Sequence, residues 1–457
     1  MLPTDAVPSR RPRLVLVAGD VIANTMAGPG LRFVKIAEQL SAVADVTIAL
    51  GHEGSNAAAL ADMPFDAREY ASHEELVALM VGADIVYGQM VDENAVRQAV
   101  QSGTRFIFDL YNAVPAEAIG SEKIGGFDTQ PEMDNVYSQV LSFFRLCMRA
   151  GSYFVTSNER QRDFWIGFML AAKGVMPSSL DGRAATDIVG LLPFGLEDED
   201  PVQASHGIRG KRGIGDDDFV VLWAGGIWDW FDAETPIRAV AALRERRPNV
   251  HLVFYGTTHP NALIGRPASV GRAAALARDL GVLDVGVHFI EGWVPASERA
   301  DYLRDADIAV CAHKDSLETR YAFRTRILDH FWSSLPSVVT EGDWFAEYIA
   351  ENELGEVVRY GDVEQTATAI ERLMSSDVRD QTIGHVQAIR DSWKWSATTR
   401  ELVEIVANWE ERLPVRDLRP IEEAITASHR RIGPLLRLRY RLSHTWVGKI
   451  YRRARGR

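Results

Sequence analysis

An α/β fold with two Rossmann-like domains facing across a cleft is the architecture this sequence predicts. Three observations predict it. Short apolar runs recur along the chain, they alternate with helical stretches, and the alternation occurs twice with a polar, glycine-containing segment between the two sets. Continuous apolar strands alternating with helices indicate parallel sheets covered on both faces.

In the first half the runs are RLVLVAG from Arg13, DVTIALG from Asp45, IVYGQ from Ile85, RFIFDL from Arg105, YFVTSN from Tyr153 and VGLLPFG from Val189. The second half repeats the rhythm with FVVLWAGG, HLVFYG, VHFIEGW, IAVCAH, PSVVT and GEVVRY. Two sets of six strands imply an N-terminal domain over 11–195 and a C-terminal domain over 208–392, divided within LEDEDPVQASHGIRGKRGIGDDD. Residues 393–413 read as one helix packing across both domains, and 414–457 as a basic tail. Sheets of this kind bind ligands at the carboxyl ends of their strands, so two facing sheets define an interdomain cleft.

Composition limits the function classes. At 457 residues and 46% hydrophobic the chain can bury substantial cores. Cys147 and Cys311 lie far apart in apolar contexts and read as buried thiols of a reducing compartment. No run approaches the ~20 apolar residues of a membrane span, and LVLVAG is too short for a signal peptide. The expected location is cytoplasmic. Net charge is −13, but residues 414–457 carry twelve basic and three acidic residues, which leaves −22 on the rest. An acidic body argues against nucleic acid, while the basic tail invites an anionic membrane surface, a solvated state or a clamp on the acidic body.

Three segments carry candidate chemistry. In GDVIANTMAGPGLRFVKIAEQL, Gly28, Pro29 and Gly30 precede a helix that contains Arg32; this turn reads either as a ligand-free tight turn or as the acceptor side of the cleft. In WAGGIWDWFDAETPIRAVAAL, Gly225 and Gly226 end a strand, and Trp228, Asp229, Trp230 and Asp232 crowd the following loop. Stacking on a sugar or base, with hydrogen bonds to hydroxyls, is the use such a loop suggests, and these residues are read as donor-binding; local packing is the alternative.

The third segment is HKDSLETRYAFRTRILDHFWSSLPSVVTEGD. A helix is expected from about Thr325 to Ser333, with Arg324 and Arg326 at its N-terminal end. Cations there oppose the helix dipole unless an anion joins them, and a diphosphate fits. Asp329, one turn deeper, suits two ribose hydroxyls; the competing reading is a surface pair with Arg326. Asp305-Ala306-Asp307 reads as a helix–strand junction rather than a metal site, and the eleven histidines show no ligand spacing, so no metal is expected. No Walker A or G-x-S-x-G pattern is present.

These segments resemble the GT-B glycosyltransferases of family four, a retaining group that includes sucrose-phosphate and phosphatidylinositol mannosyl enzymes. That family's E-G-F-G-x-x-x-L-E motif is followed by a Pro before a Val-rich strand. Here Leu328-Asp329 and Pro336-Ser337-Val338-Val339 keep the spacing, and Phe323 falls on the Phe. The leading Glu falls on Tyr321 and the glycines on Ala322 and Arg324, so the sugar contact moves to Glu318 or Asp315. Gly225 matches the Gly of the family's G-R-x-x-x-x-K, with Gly226 in place of Arg and no Lys. The combination of GGIWDWFD, ETRYAFRTRILDHFW and SNERQRDFW points to a bacterial subgroup.

The resemblance implies sugar transfer with retention from a nucleotide-sugar donor to an unknown glycan or lipid-linked acceptor, in cell wall or polysaccharide biosynthesis. Arg324 and Arg326 would stabilise the departing diphosphate, no cofactor or metal is implied, and Asp109 would lie at the reaction centre. Trp293, in EGWVP, would sit in the base-binding loop, and Thr325 beside the donor. Arg160 and Arg162 would face the cleft or solvent. Two other readings share the fold: a nucleotide-sugar epimerase or hydrolase, and a non-catalytic nucleotide-sugar-binding protein.

Overall fold

The computed structural model describes residues 10–24, 26–119, 129–180, 182–258, 267–292 and 294–418. Two wholly parallel sheets organise them. The first runs β1 (Arg13–Val17), β2 (Asp45–Leu50), β3 (Asp66–Glu69), β4 (Ile85–Gly88), β5 (Arg105–Asp109), β6 (Tyr153–Thr156) and β7 (Val189–Leu191). Its spatial order is β3-β2-β1-β4-β5-β6-β7. The second runs β8 (Phe219–Trp223), β9 (Val250–Phe254), β10 (Val287–Phe289), β11 (Ile308–Cys311), β12 (Ser337–Thr340) and β13 (Gly355–Val358), in the order β10-β9-β8-β11-β12-β13. The strand order reverses direction beside β1 in one sheet and beside β8 in the other, which places a ligand crevice at each of those strand ends.

All twelve expected strands are present, and a thirteenth joins them. β3 has the sequence DARE, exposed at three of its four positions, and pairs only with β2 at the sheet edge. A polar edge strand lacks the apolar signal that marks the central ones. The central strands are buried throughout, as in β8 (FVVLW) and β9 (VHLVF). Both cysteines are buried free thiols, and burial pushes the Cys311 thiol up to about 11.

One apolar cluster runs from Leu16, Tyr87 and Ile107 under the first sheet, through Phe194, Leu196 and Trp395, to Trp223, Ile327 and Phe331 under the second. The linker 197–218 is pinned by the aspartates first read as a junction. Asp305 accepts from the amides of Ile208 and Arg209 and from Gln203, and Asp307 pairs with Arg209 at 2.9 Å. The expected single helix over 393–413 is instead three short ones, Trp395–Thr398, Arg400–Ala407 and Trp409–Arg412. Lys394 is extended (φ −60°, ψ 149°), which lets Leu196 bridge it and accept from the Trp395 amide. The later helices return to the first domain. Tyr153 donates to Glu401, and Trp409 donates to the Arg10 carbonyl while Arg105 lies over its ring.

A second set of contacts closes the two domains on each other. The helix Glu159–Ala171 presents Arg160 to the carbonyls of Gly342 and Arg320 and to Glu347. Gln161 donates to the Tyr321 carbonyl, and Trp344 donates to Glu159. Arg160 therefore turns its guanidinium to the opposite domain, with 19% of its side chain still exposed.

Candidate active site

Between the sheets lies a cleft of about 970 Å³, open at one side. Its first-domain wall starts at the β1–helix turn. Gly28, Pro29 and Leu31 line the cleft at the start of the helix Gly28–Leu40, together with Asp20 and Asn24. Gly30 and Arg32 do not. A Cβ on Gly30 would come within 2.6 Å of the Val21 carbonyl, so that glycine serves internal packing.

Arg32 points inward as well. Its Nε and Nη2 reach the two oxygens of Asp109 at 2.6 and 2.9 Å, Nη2 also donates to the Leu192 carbonyl, and neither side chain is exposed. The expectation of Asp109 at the reaction centre is corrected by this geometry: both its oxygens are taken by Arg32 inside the domain. The guanidinium lies over the rings of Phe194 (4.6 Å) and Tyr111 (5.4 Å), which do line the cleft. The pair thus lies behind this aromatic floor rather than in the cleft itself.

Deeper on the same wall, Asn112 accepts from Gln89 and donates to Glu117 at 2.8 Å. Burial, then the facing charge of Glu318 from the other domain, pushes the Glu117 carboxyl up to about 7. Nothing in the sequence of VPAEAI distinguishes this glutamate from a solvated one.

The second-domain wall is built at the end of β8. Gly225 adopts φ +100°, open to glycine at little cost, and Gly256 at the end of β9 packs so closely that its Cβ would lie 3.2 Å from the Gly225 Cα. The next residue, Gly226, offers its carbonyl to Arg326 at 2.6 Å. Trp228 and Trp230 line the cleft as a stacked pair. Asp229 and Asp232 do not line it. Asp229 pairs with Arg272 at 2.6 Å, and Asp232 accepts from the Thr235 amide and hydroxyl to start the helix Glu234–Arg244. Their expected hydrogen bonding to ligand hydroxyls gives way to these local partners.

Glu318, Phe323, Arg324, Thr325, Arg326 and Asp329 all border the cleft. The helix expected from Thr325 spans Arg326–Trp332, with Thr325 at its cap. The three charged groups near it differ sharply. Arg324 is engaged: both oxygens of Glu318 accept from it at 2.8 and 2.9 Å, and Asp343 lies at 3.8 Å. Phe323 packs on Phe345, Phe194 and Trp393.

Arg326 is the exception. Among the described residues no carboxylate pairs with it; its guanidinium lies over Phe231 (3.8 Å) and Trp223 (4.9 Å), and its buried Nη1 has no hydrogen-bond partner. Burial and the like charge of Arg324 hold its pKa below the usual guanidinium value.

Asp329 meets Arg299 at 3.1 Å, and Arg299 is itself stacked over Trp332. Burial raises the Asp329 carboxyl while Arg299 opposes the shift. A ladder of charge continues to the first domain, since Glu197 lies 3.9 Å from Arg299 and 2.6 Å from Lys35. Arg299 and Glu197 line the cleft but were not found in the sequence, because their partners lie far along the chain. Trp293 lies outside the described residues; its neighbours Val294, Pro295 and Ala296 line the cleft. Among the described residues no group of three His, Cys, Asp or Glu could hold a metal ion.

Comparisons with known proteins agree with this architecture. Residues 218–376 match the family model described as glycosyl transferases group 1. A search of curated proteins returns no match. Among solved structures, Anabaena HepE in complex with UDP and glucose superimposes with a TM-score of 0.63 at 14% identity, covering 87% of this chain and 100% of that one. WaaG, a glycosyltransferase involved in lipopolysaccharide biosynthesis, follows at 0.60 and 18%, covering 86% and 99%. Sucrose-phosphate synthase from Thermosynechococcus elongatus gives 0.59 and 15%, covering 88% and 100%. At such identities the likeness concerns the fold. The chain thus has the GT-B glycosyltransferase fold, and its second domain carries the group 1 glycosyl transferase match.

Proposed function

We propose that the protein is a glycosyltransferase that takes its sugar from a nucleotide-sugar donor. The observation that carries this reading is the guanidinium of Arg326 at the wall of an interdomain cleft, its Nη1 buried without a hydrogen-bond partner and no carboxylate paired with it among the described residues. A buried cation without a counter-charge is costly, and a bound anion removes that cost. A diphosphate brings two negative groups and acceptor oxygens that suit both the open Nη1 and the backbone at Gly225–Gly226. The family match over residues 218–376 and the complex of HepE with UDP and glucose support a nucleotide-sugar as its source.

In this scheme the ribose lies toward Asp329 and Arg299, and the base toward Tyr255 and Val294–Pro295. The sugar extends toward Glu318 and Glu117. The anomeric C–O bond to the diphosphate breaks as the acceptor oxygen bonds to the same carbon on the same face. The acceptor proton passes to a leaving phosphate oxygen, which gives retention without an enzyme nucleophile. Arg326 stabilises the charge that develops on the departing group, so neither metal nor cofactor enters the scheme. The two walls exclude water and limit donor hydrolysis.

A place in family four, a glycan or lipid-linked acceptor and a role in surface polysaccharide assembly belong to the same proposal. So does contact of the basic tail, 414–457, with an anionic inner-membrane face; residues 419–457 of that segment lie outside the described residues. No helix among the described residues is long and apolar enough to cross a membrane.

Titration calorimetry with UDP, GDP and ADP, followed by assay of nucleoside diphosphate release, tests the reading. Binding with acceptor-dependent release supports transfer. Release without acceptor would indicate a hydrolase, and binding without release a non-catalytic protein.

A further inference from the structure

The loop Ile227–Phe231 is held at several points yet leaves Trp230 exposed beside a half-buried Trp228. Ser269 donates to the Ile227 carbonyl, the Phe231 amide to Trp228, and the Lys314 amide to Trp230. Lys314 Nζ reaches the Asp229 carbonyl at 2.8 Å, and the Asp232 amide joins Ala312 at the end of β11. On this fixed backbone the indoles of Trp228 and Trp230 stack 5.8 Å apart, their planes 21° from parallel, and Trp230 remains 44% exposed. A loop packed only for its own stability would turn the Trp230 ring inward, since an exposed aromatic surface in a cleft is the surface that ligands cover.

Sheet order decides which ligand. Tyr255 follows β9, and Val294 and Arg299 follow β10, on one side of β8; Asp329, proposed with Arg299 for the ribose, is on the helix after β11 and meets that side through Arg299 at 3.1 Å. The tryptophan loop is tied to the other side: Phe231 bridges His313 directly after β11, and Lys314 follows. The indoles therefore flank the diphosphate from the side away from the base. Around them the exposed rim is polar, with Asp229, Arg272, Lys314, Asp315 and Ser316.

The geometry points to a carbohydrate subsite in which the Trp228–Trp230 platform takes a pyranose ring of the acceptor. A pyranose presents an apolar C–H face to an aromatic plane and hydroxyls at its edge, matching rings inside a polar rim. The anchoring of this loop beside β11, away from Tyr255, Val294 and Arg299, favours the acceptor over the donor base as its ligand. The word acceptor rests on the glycosyltransferase reading, whereas saccharide binding at the platform does not.

The test uses the full chain and Trp230→Ala, with Trp230→Phe as the variant that keeps an aromatic face. Calorimetry measures the tightest binder of UDP, GDP and ADP. Saturation-transfer NMR then screens gluco-, galacto- and manno-configured disaccharides, with and without that nucleotide. At least one disaccharide is expected to bind the wild type, at least about tenfold weaker to Trp230→Ala and within about threefold to Trp230→Phe, with nucleotide affinity of the alanine variant also within about threefold. The proposal is overturned if no disaccharide binds, if binding ignores Trp230→Ala, or if that change weakens the nucleotide tenfold. Failure of the donor reading is distinct: the wild type would then bind none of the three nucleotides.

Discussion

Arg32 and Asp109 hold one another through two hydrogen bonds at 2.6 and 2.9 Å with no exposed surface on either side chain. Removing one member leaves the other charged in the core, a loss of about 3–5 kcal/mol. Asp109→Asn and Arg32→Met should therefore each unfold at markedly lower denaturant, measured in urea. The double variant Arg32→Met/Asp109→Leu should recover a large part of the loss. If Asp109→Asn instead kept full stability and lost only turnover, Asp109 would act on substrate after all.

Glu117 makes stability depend on pH. Its folded carboxyl titrates at about 7, above the ordinary 4.5, chiefly through burial and then Glu318. The folded state holds this proton more tightly than the unfolded state. The group costs nothing below the unfolded value, and stability is lost as pH rises from about 4.5 to about 7. Thermal unfolding of Glu117→Gln should show a gain over wild type that is full at pH 8 and vanishes near pH 4.5. A pH-independent difference would contradict the assignment.

The interdomain clasp yields an asymmetric prediction. Glu347 is 64% exposed, so its ion pair with Arg160 is worth about 0–1 kcal/mol. Arg160→Ala also leaves the Gly342 and Arg320 carbonyls without their donor. Small-angle scattering should show a larger radius of gyration for Arg160→Ala than for Glu347→Ala, the latter matching wild type. Equal radii for all three would show that the clasp does not hold the domains.

Much of the fold was legible because buried parallel strands are continuous apolar runs, as in VVLW and IAVC. DARE was missed because an edge strand needs no apolar face. In the site, residue types are legible from the sequence but the directions of their side chains are not. Asp229 and Arg32 look like ligand groups by spacing, yet each meets a partner visible only after folding, Arg272 and Asp109, while Asp232 is taken by the local start of the next helix at Thr235. Arg299 and Glu197 escaped notice for the same reason: the ladder from Lys35 to Asp329 joins two domains. Arg326 was legible because a cation at a helix start conflicts with the dipole, and that conflict persists in the folded chain.

For the basic tail, co-sedimentation with vesicles rich in anionic lipid compares the full chain with a truncation after Leu413. The full chain should pellet and the truncation should not, with the difference shrinking as salt rises. Equal pelleting of both would remove the membrane role.

Arg326 presents a largely desolvated cation, its buried Nη1 open to an anion, and Arg326→Met tests that role most directly. Calorimetric titration of the nucleoside diphosphate that binds wild type should show affinity reduced about ten- to a hundredfold, the scale of a charged hydrogen bond. The ligand-free variant should melt no lower than wild type, because an unpaired buried charge has been replaced by an apolar chain of similar length. Unchanged nucleotide affinity in a well-folded variant would contradict the account.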